Sequence, residues 1–224
     1  MNSKRIIGAL CAFALMAGCA STVTPPEEYS GFLNDYSKLR ETKTPSGVTV
    51  MRWIDPMLKA ANYNNIFIEP TQFYPKPQAT PQIPLRTLTG IASYYDTALK
   101  RELSKTSRLT TTPGTGTLIV RPAITAVSRT TEGFRPHEIL PVALVAAAIN
   151  TAAGGRDQNT SIATEVVVVD AATNRVVAQL VRKGAGRDLE NSQTEMTVED
   201  VKEALDGWAS DIQQSFERAK AEAK

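Results

Sequence analysis

The sequence predicts an α+β fold in two layers: a small mixed, mostly antiparallel sheet packed by two main helices, plus an Ala-rich helical insert. Apolar residues recur every three or four positions over residues 85–105 and again from residue 197, the spacing of one buried helix face. Val-rich stretches within 116–129 and 161–184 have the β-branched composition of strands. Turn-type residues between the two Val runs of 161–184 predict an antiparallel hairpin there.

The N-terminus has the organisation of an export signal. Lys4 and Arg5 form a positive start, and the apolar run 6–16 follows. This run is too short to span a bilayer, which needs about 20 apolar residues. Its end, Met-Ala-Gly-Cys, resembles the lipobox of bacterial lipoproteins, with Gly18 before the cleavage site and Cys19 as the lipidated residue.

The lipobox predicts three segments: a signal peptide at 1–18, a lipidated tether at 19–28 and a single periplasmic α/β domain at 29–224. Alkylation of the thiol and acylation of the amino group would give Cys19 the two or more lipid chains that stable anchoring requires. Radioactive palmitate labels such lipid chains. Ala20 and Ser21 follow instead of the Asp that retains lipoproteins in the inner membrane, so we expect an outer-membrane anchor with the domain facing the periplasm. The alternative is an ordinary secretory signal with a chance cysteine.

Composition excludes several classes of function. Removal of residues 1–18 takes away Lys4 and Arg5, which lowers Lys plus Arg from 25 to 23, equal to Asp plus Glu at 23. A neutral domain argues against nucleic-acid binding. Cys11 leaves with the signal and Cys19 is blocked, while His137 is the single histidine. We therefore expect no disulfide, no Cys or multi-His metal site and no cofactor.

The first half of the domain contains short elements. Apolar residues in 32–39 fall at helical spacing and predict a short amphipathic segment. Residues 48–55 alternate in polarity as a strand that ends at Pro56, and 65–70 form another short strand. Four prolines in 71–86 indicate an extended loop.

Longer elements follow. Residues 85–105 predict a helix that buries Leu88, Ile91, Tyr95, Leu99 and Leu103 or Glu102. The strand at 116–129 contains Pro122, which a sheet tolerates only at an edge or a bulge. Thr197 and Asp200 resemble a capping box that opens the last helix. One face of this helix carries Val201, Leu205, Trp208, Ile212, Phe216 and Ala219.

An apolar, Ala-rich stretch at 137–155 allows two interpretations. Pro141 suits the first turn of a helix, and Gly154 or Gly155 suits its end. A helix here would be too short to cross a membrane. It is either a buried helix in a long connection between strands or, over residues 139–153, a surface patch for a partner or the bilayer.

Four stretches in order carry a family resemblance: GFLNDYSKL, WIDP, IFIEP and EVVVVDAATNRVVA. With the lipobox, they resemble the Gram-negative lipoproteins grouped as domain of unknown function 3313. The resemblance covers Tyr29 to Phe216 and implies an α/β envelope domain. It implies no activity.

The residues favour a protein that is not an enzyme. His137 stands alone as a candidate base without a nucleophile partner. Neither PGTGT nor RKGAGR completes a nucleotide-binding loop. Asp55 and Asp170 are interpreted as turn residues. The remaining candidate carboxylates are scattered: Asp35, Glu69, Asp96 and Glu165.

Three hypotheses follow, in decreasing order. The first is a lipid-anchored outer-membrane lipoprotein whose domain is a non-catalytic binding or envelope-maintenance module, with an envelope-protein or cell-wall partner. The second is an oligomeric, membrane-associated assembly in which residues 139–153 mediate self-association. The third is a cell-wall hydrolase that uses paired carboxylates.

Overall fold

The computed structural model describes residues 23–131 and 158–222. Its strands are β1 (Arg40–Lys43), β2 (Thr49–Ile54), β3 (Asn65–Ile68), β4 (Gln72–Phe73), β5 (Arg108–Leu109), β6 (Thr117–Thr131), β7 (Gln158–Asp170) and β8 (Val176–Ala185). Its two α-helices are α1 (Leu85–Leu103) and α2 (Lys202–Glu222). The Ala-rich stretch 139–153 and His137 lie outside the described residues.

The eight strands form one mixed sheet in the order β1-β2-β8-β7-β6-β3-β5, with β4 also beside β6. β1, β2, β8, β7 and β6 pair antiparallel, whereas β3 and β4 run parallel to β6. The predicted α+β class, with a mixed, mostly antiparallel sheet and two main helices, is confirmed. The predicted hairpin is also present, as β7 and β8.

Pro122 lies where β6 changes neighbours. β3 ends at Ile68, opposite Val120, and β4 begins at Gln72, opposite Ala123. Pro122 therefore falls between the two short partners on that side of β6, and a register shift follows between Ile124 and Ala126. A residue without a backbone donor is accommodated in a central strand because the pairing is interrupted there.

Both helices pack on the same face of the sheet. Leu88, Ile91, Tyr95 and Leu99 of α1 are 2% exposed or less, as the helical period predicted. The Asp200 carboxylate accepts the backbone N–H of Thr197 at 2.7 Å, so the predicted cap forms, on a short turn that leads into α2. The predicted apolar face of α2 is buried through its first half, and its last members are only half-buried.

The opposite face of the sheet is covered by the N-terminal segment, which we define as residues 29–39. Its prediction as a helical segment was wrong: it consists of turns, because Gly31 and Asn34 adopt left-handed backbone conformations, with φ of 92° and 61°. Its apolar residues still pack together. With Met51, Trp53, Val167 and Val181 of the sheet, they form a second, smaller core.

Candidate functional site: a cavity under α2

The second half of α2 and the sheet enclose a cavity of about 110 Å³. Its walls are mostly apolar and include Ile66, Val120, Val166, Ala178, Ile212 and Phe216. The cavity is partly open, since Ile54 at its edge is 38% exposed and Phe216 remains half-buried. Small side chains help to leave this space, because Ala178 of β8 and Ala219 of α2 both line it.

A buried ion pair closes one end of the cavity. Both terminal nitrogens of Arg182, on β8, donate to Asp211 Oδ2, on α2, at 3.2 Å each. The two side chains are 3% and 5% exposed. Ser46 adds two donors to the same carboxylate, its backbone N–H to Oδ1 and its hydroxyl to Oδ2, each at 3.0 Å. The loop between β1 and β2 is thereby joined to α2.

Arg52 lies beside this pair without an acidic partner in the described part of the chain. It projects from β2, opposite Leu180 of β8, and its Nη1 donates to Ser215 Oγ at 3.2 Å. No carboxylate among the described residues lies within ion-pair distance of it. Burial lowers the pKa of Arg52, and the charge of Asp211 partly opposes that shift. Among the described residues, this end of the cavity, the polar end, therefore holds two guanidinium groups and one carboxylate.

Buried polar atoms without partners lie near the same ion pair. Arg182 Nε finds no hydrogen-bond partner among the described residues, and the Tyr95 hydroxyl and Thr164 Oγ1 lie near each other without good hydrogen-bond geometry. Thr164 lies opposite Arg182 in the β7–β8 register, and the Arg182 guanidinium stacks over the Trp208 ring at 4.9 Å from its centroid. Burial raises the pKa of Tyr95 to about 12. Such groups are costly in a dry core, so this region departs from ordinary core packing.

Glu165 holds the N-terminal segment on the other face of the sheet. It is 1% exposed, and it accepts the Ser30 backbone N–H at 2.9 Å and the Tyr36 hydroxyl at 2.7 Å. Burial, followed by the hydrogen bond to Glu165, raises the pKa of Tyr36 to about 12. Next to this contact, Glu28 pairs with Lys183 of β8 at 3.0 Å. The end of the predicted tether is thus fixed to the sheet.

The six candidate carboxylates do not all lie at one site, but the structure brings Asp55 and Asp170 together near Tyr63, whose pKa is raised by burial and by both of them. Each has its own local partner: Ser37 N–H for Asp35, Arg175 for Asp55, Arg121 for Glu69, Thr71 N–H for Asp96, Ser30 and Tyr36 for Glu165, and Tyr63 for Asp170. Asp55 and Asp170 also accept backbone N–H groups two residues ahead, which confirms their interpretation as turn residues. Gly18 and Cys19 lie outside the described residues, so lipidation stays a prediction.

A second, open concavity lies between residues 185–188 and the first turns of α2. Several acidic residues border it, but two of them serve structural contacts. Asp206 binds the Tyr94 hydroxyl and Arg101, and Asp200 caps the turn before α2. Within residues 23–131 and 158–222, no group of three His, Cys, Asp or Glu side chains could hold a metal ion. None of the helices in that same part of the chain is long and apolar enough to cross a membrane.

Sequence reasoning did not identify Arg52, Arg182 and Asp211 as members of one site. A local signal exists for two of them. Arg182 continues the alternation of Ala178 and Leu180 on the helix-facing side of β8, and Asp211 directly precedes Ile212 of the apolar face of α2. A charged residue at a buried position of a strand or helix predicts an oppositely charged partner. The sequence does not show which residue this is, because the partner lies on another element.

Comparisons with known proteins agree with the sequence resemblance. A family model described as a protein of unknown function (DUF3313) matches residues 28–212. The uncharacterized lipoprotein YdcL of Escherichia coli strain K12 is 40% identical over 205 residues, which is 92% of each chain. These matches indicate a lipoprotein of unknown function associated with the cell envelope.

Solved structures give only distant likenesses. A putative neuraminyllactose-binding hemagglutinin homolog from Helicobacter pylori matches 72% of this chain and 90% of its own, at 9% identity and a TM-score of 0.39. A PelC dodecamer from Paraburkholderia phytofirmans matches 74% and 96%, at 9% identity and a TM-score of 0.36. Neither likeness bears on function. By its family match and its E. coli relative, the chain belongs to the DUF3313 family.

Proposed function

We propose that this protein is an outer-membrane lipoprotein, anchored through lipidated Cys19, whose periplasmic domain is a non-catalytic binding module. The observation that carries the binding role is the cavity under α2, where an apolar chamber ends at a half-buried Arg52 that has no acidic partner among the described residues. Concave, mostly apolar sites with a few placed polar groups are the usual form of small-molecule sites, and at about 110 Å³ this cavity suits a small ligand or one part of a larger ligand.

The two faces of the sheet support a division between anchoring and binding. The N-terminal segment and Glu28 are held on one face through Glu165 and Lys183, whereas the cavity lies on the opposite face under α2. A domain tethered on one side keeps its other side accessible to a ligand or partner. Tethering also raises the effective concentration of that ligand or partner near the membrane.

The cavity under α2 does not present the pair of carboxylates that glycan hydrolysis requires. A pair of carboxylates that cleaves a glycan must face one substrate from about 5–9 Å apart. Of the described residues that line the cavity under α2, Asp211 alone is acidic, and it is bound to Arg182 and Ser46. Of the six scattered candidates, Asp55 and Asp170 both lie near Tyr63, and each also accepts a backbone N–H in its own turn. The self-association hypothesis depends on residues 139–153, which lie outside the described residues.

Palmitate labelling and membrane fractionation test the anchor. Wild type should carry the label and fractionate with the outer membrane, and Cys19→Ala should lose both properties. Ala20→Asp is the matched variant: it keeps the cysteine and the label, but should move the protein to the inner membrane. Label and membrane association that survive Cys19→Ala would contradict the anchor, and an unchanged location of Ala20→Asp would contradict the sorting argument.

A further inference from the structure

The size of the cavity under α2 limits what its apolar part can hold. Its volume of about 110 Å³ is somewhat smaller than the ~150 Å³ engineered cavity that accommodates benzene. By the same proportion, about four carbons of an apolar tail fit inside, and a longer tail would extend past the exposed Ile54. The mostly apolar walls favour hydrocarbon over a polar group in this part of the site.

The charge at the polar end selects the head of the ligand. Arg182 is neutralised by Asp211 at 3.2 Å, whereas the Arg52 guanidinium contacts the Ser215 hydroxyl and no described carboxylate. Two arginines and one carboxylate leave one positive charge in a partly buried setting. A guanidinium group in such a place binds a carboxylate with two parallel hydrogen bonds. Arg182 Nε adds a second buried donor that finds no partner in the described part of the chain.

We propose that the cavity binds an anionic amphiphile, namely a monocarboxylate whose short apolar tail lies between α2 and the sheet and whose carboxylate pairs with Arg52. This assignment rests on the proposed binding function and names the class of its ligand. The chain's own N-terminal segment does not occupy the cavity, because it packs on the opposite face of the sheet.

Binding is measured on the lipidated protein in nanodiscs, with protein-free nanodiscs as background. Hexanoate carries both head and tail, acetate only the head, and 1-hexanol only the tail. Trp208 stacks on Arg182 and reports binding by fluorescence once Trp53, on the other face, is replaced in Trp53→Phe. We expect hexanoate to bind at least about tenfold more tightly than acetate or 1-hexanol, since each lacks one of the two contacts.

Substitutions at Arg52 and Ala178 separate the two contacts. Arg52→Gln should weaken hexanoate binding about tenfold and leave 1-hexanol binding unchanged, and Arg52→Lys should restore part of the loss. Ala178→Leu fills the cavity and should weaken both hexanoate and 1-hexanol. Arg121→Gln is the control, because Arg121 pairs with Glu69 rather than lining the cavity, and it should bind like wild type. Urea unfolding of each variant verifies that it is folded.

The outcomes decide the proposal. Preference for hexanoate that depends on Arg52 and on the space at Ala178 supports it. Equal binding of the three probes, no hexanoate binding by wild type, or full binding by a folded Arg52→Gln overturns it. None of these results alters palmitate labelling at Cys19, so a failed ligand assignment is distinguishable from a failed anchor.

Discussion

Replacement of Asp211 by asparagine should destabilise the domain strongly, because it removes the counter-charge that Arg182 contacts. The pair is nearly excluded from water, with side-chain exposures of 3% and 5%. The new amide side chain would be uncharged but similar in shape to the carboxylate, so the perturbation is electrostatic rather than steric. Arg182 would keep its position over Trp208 with its own charge unpaired.

The expected magnitude follows from the contacts. Removal of one member of a buried ion pair costs about 3–5 kcal/mol, because the remaining charge stays desolvated. An asparagine oxygen can accept either the Ser46 N–H or the Arg182 guanidinium, and its NH2 group then faces the other donor, so we expect a loss of at least about 3 kcal/mol. For a domain of this size, that corresponds to a fall in Tm of roughly 6–12 °C.

Urea unfolding followed by circular dichroism measures the free energy of unfolding and the m value. Glu199→Gln is the control, since Glu199 and Lys202 form a pair with side-chain exposures of 61% and 40%, and it should change the free energy of unfolding by less than about 0.5 kcal/mol. The double variant Arg182→Met, Asp211→Leu should be more stable than Asp211→Asn, because neither member of the fully buried pair is left without its counter-charge. A loss below about 1 kcal/mol for Asp211→Asn at unchanged m would refute the reasoning.

Three further predictions concern other parts of the fold. Tyr36→Phe leaves one oxygen of the buried Glu165 without its donor, so urea unfolding should show a free energy of unfolding lower by about 2 kcal/mol. The same substitution made in Glu165→Gln should cost less, and an equal or larger cost there would contradict the prediction. Gly186→Ala should destabilise the domain by more than about 2 kcal/mol, since its methyl group would collide with the backbone of the turn before α2. Gly207→Ala, a site in α2 with open space around it, should stabilise the domain by about 0.5–1 kcal/mol. Similar effects of the two substitutions on urea unfolding would contradict this difference in packing. The pKa values of Tyr36 and Tyr95, raised from 10.0 to about 12, favour the neutral native form, so stability should be fully present below pH 10 and fall as pH rises through 12. Ultraviolet titration of tyrosinate with urea unfolding tests this. Because the pKa values of Tyr29, Tyr63 and Tyr94 are also raised, Tyr36→Phe with Tyr95→Phe should reduce the decrease, and an undiminished decrease would disprove the assignment.

Much of the fold was predictable because its signals are local. The buried face of α1, the Val-rich strands of the hairpin and the cap at Thr197 each depend on residues close together in the chain. Even the interruption at Pro122 could be expected, because a missing backbone donor restricts where a strand can pair. The N-terminal segment was predicted wrongly for a local reason too, because the spacing of apolar residues does not show that the backbone turns at Gly31 and Asn34.

The sequence by itself determined the class of the protein, because the lipobox-like stretch that ends at Cys19 and the ordered motifs of its family each reside in short, contiguous stretches. Only the tertiary structure decided where a ligand could bind. Arg52 and Ser215 are 163 positions apart, and Ser46 and Asp211 are 165 apart. No local pattern encodes such a juxtaposition, because it arises from the way α2 packs across β2 and β8. The space beneath α2 likewise follows from small residues on separate elements that meet only in the folded chain.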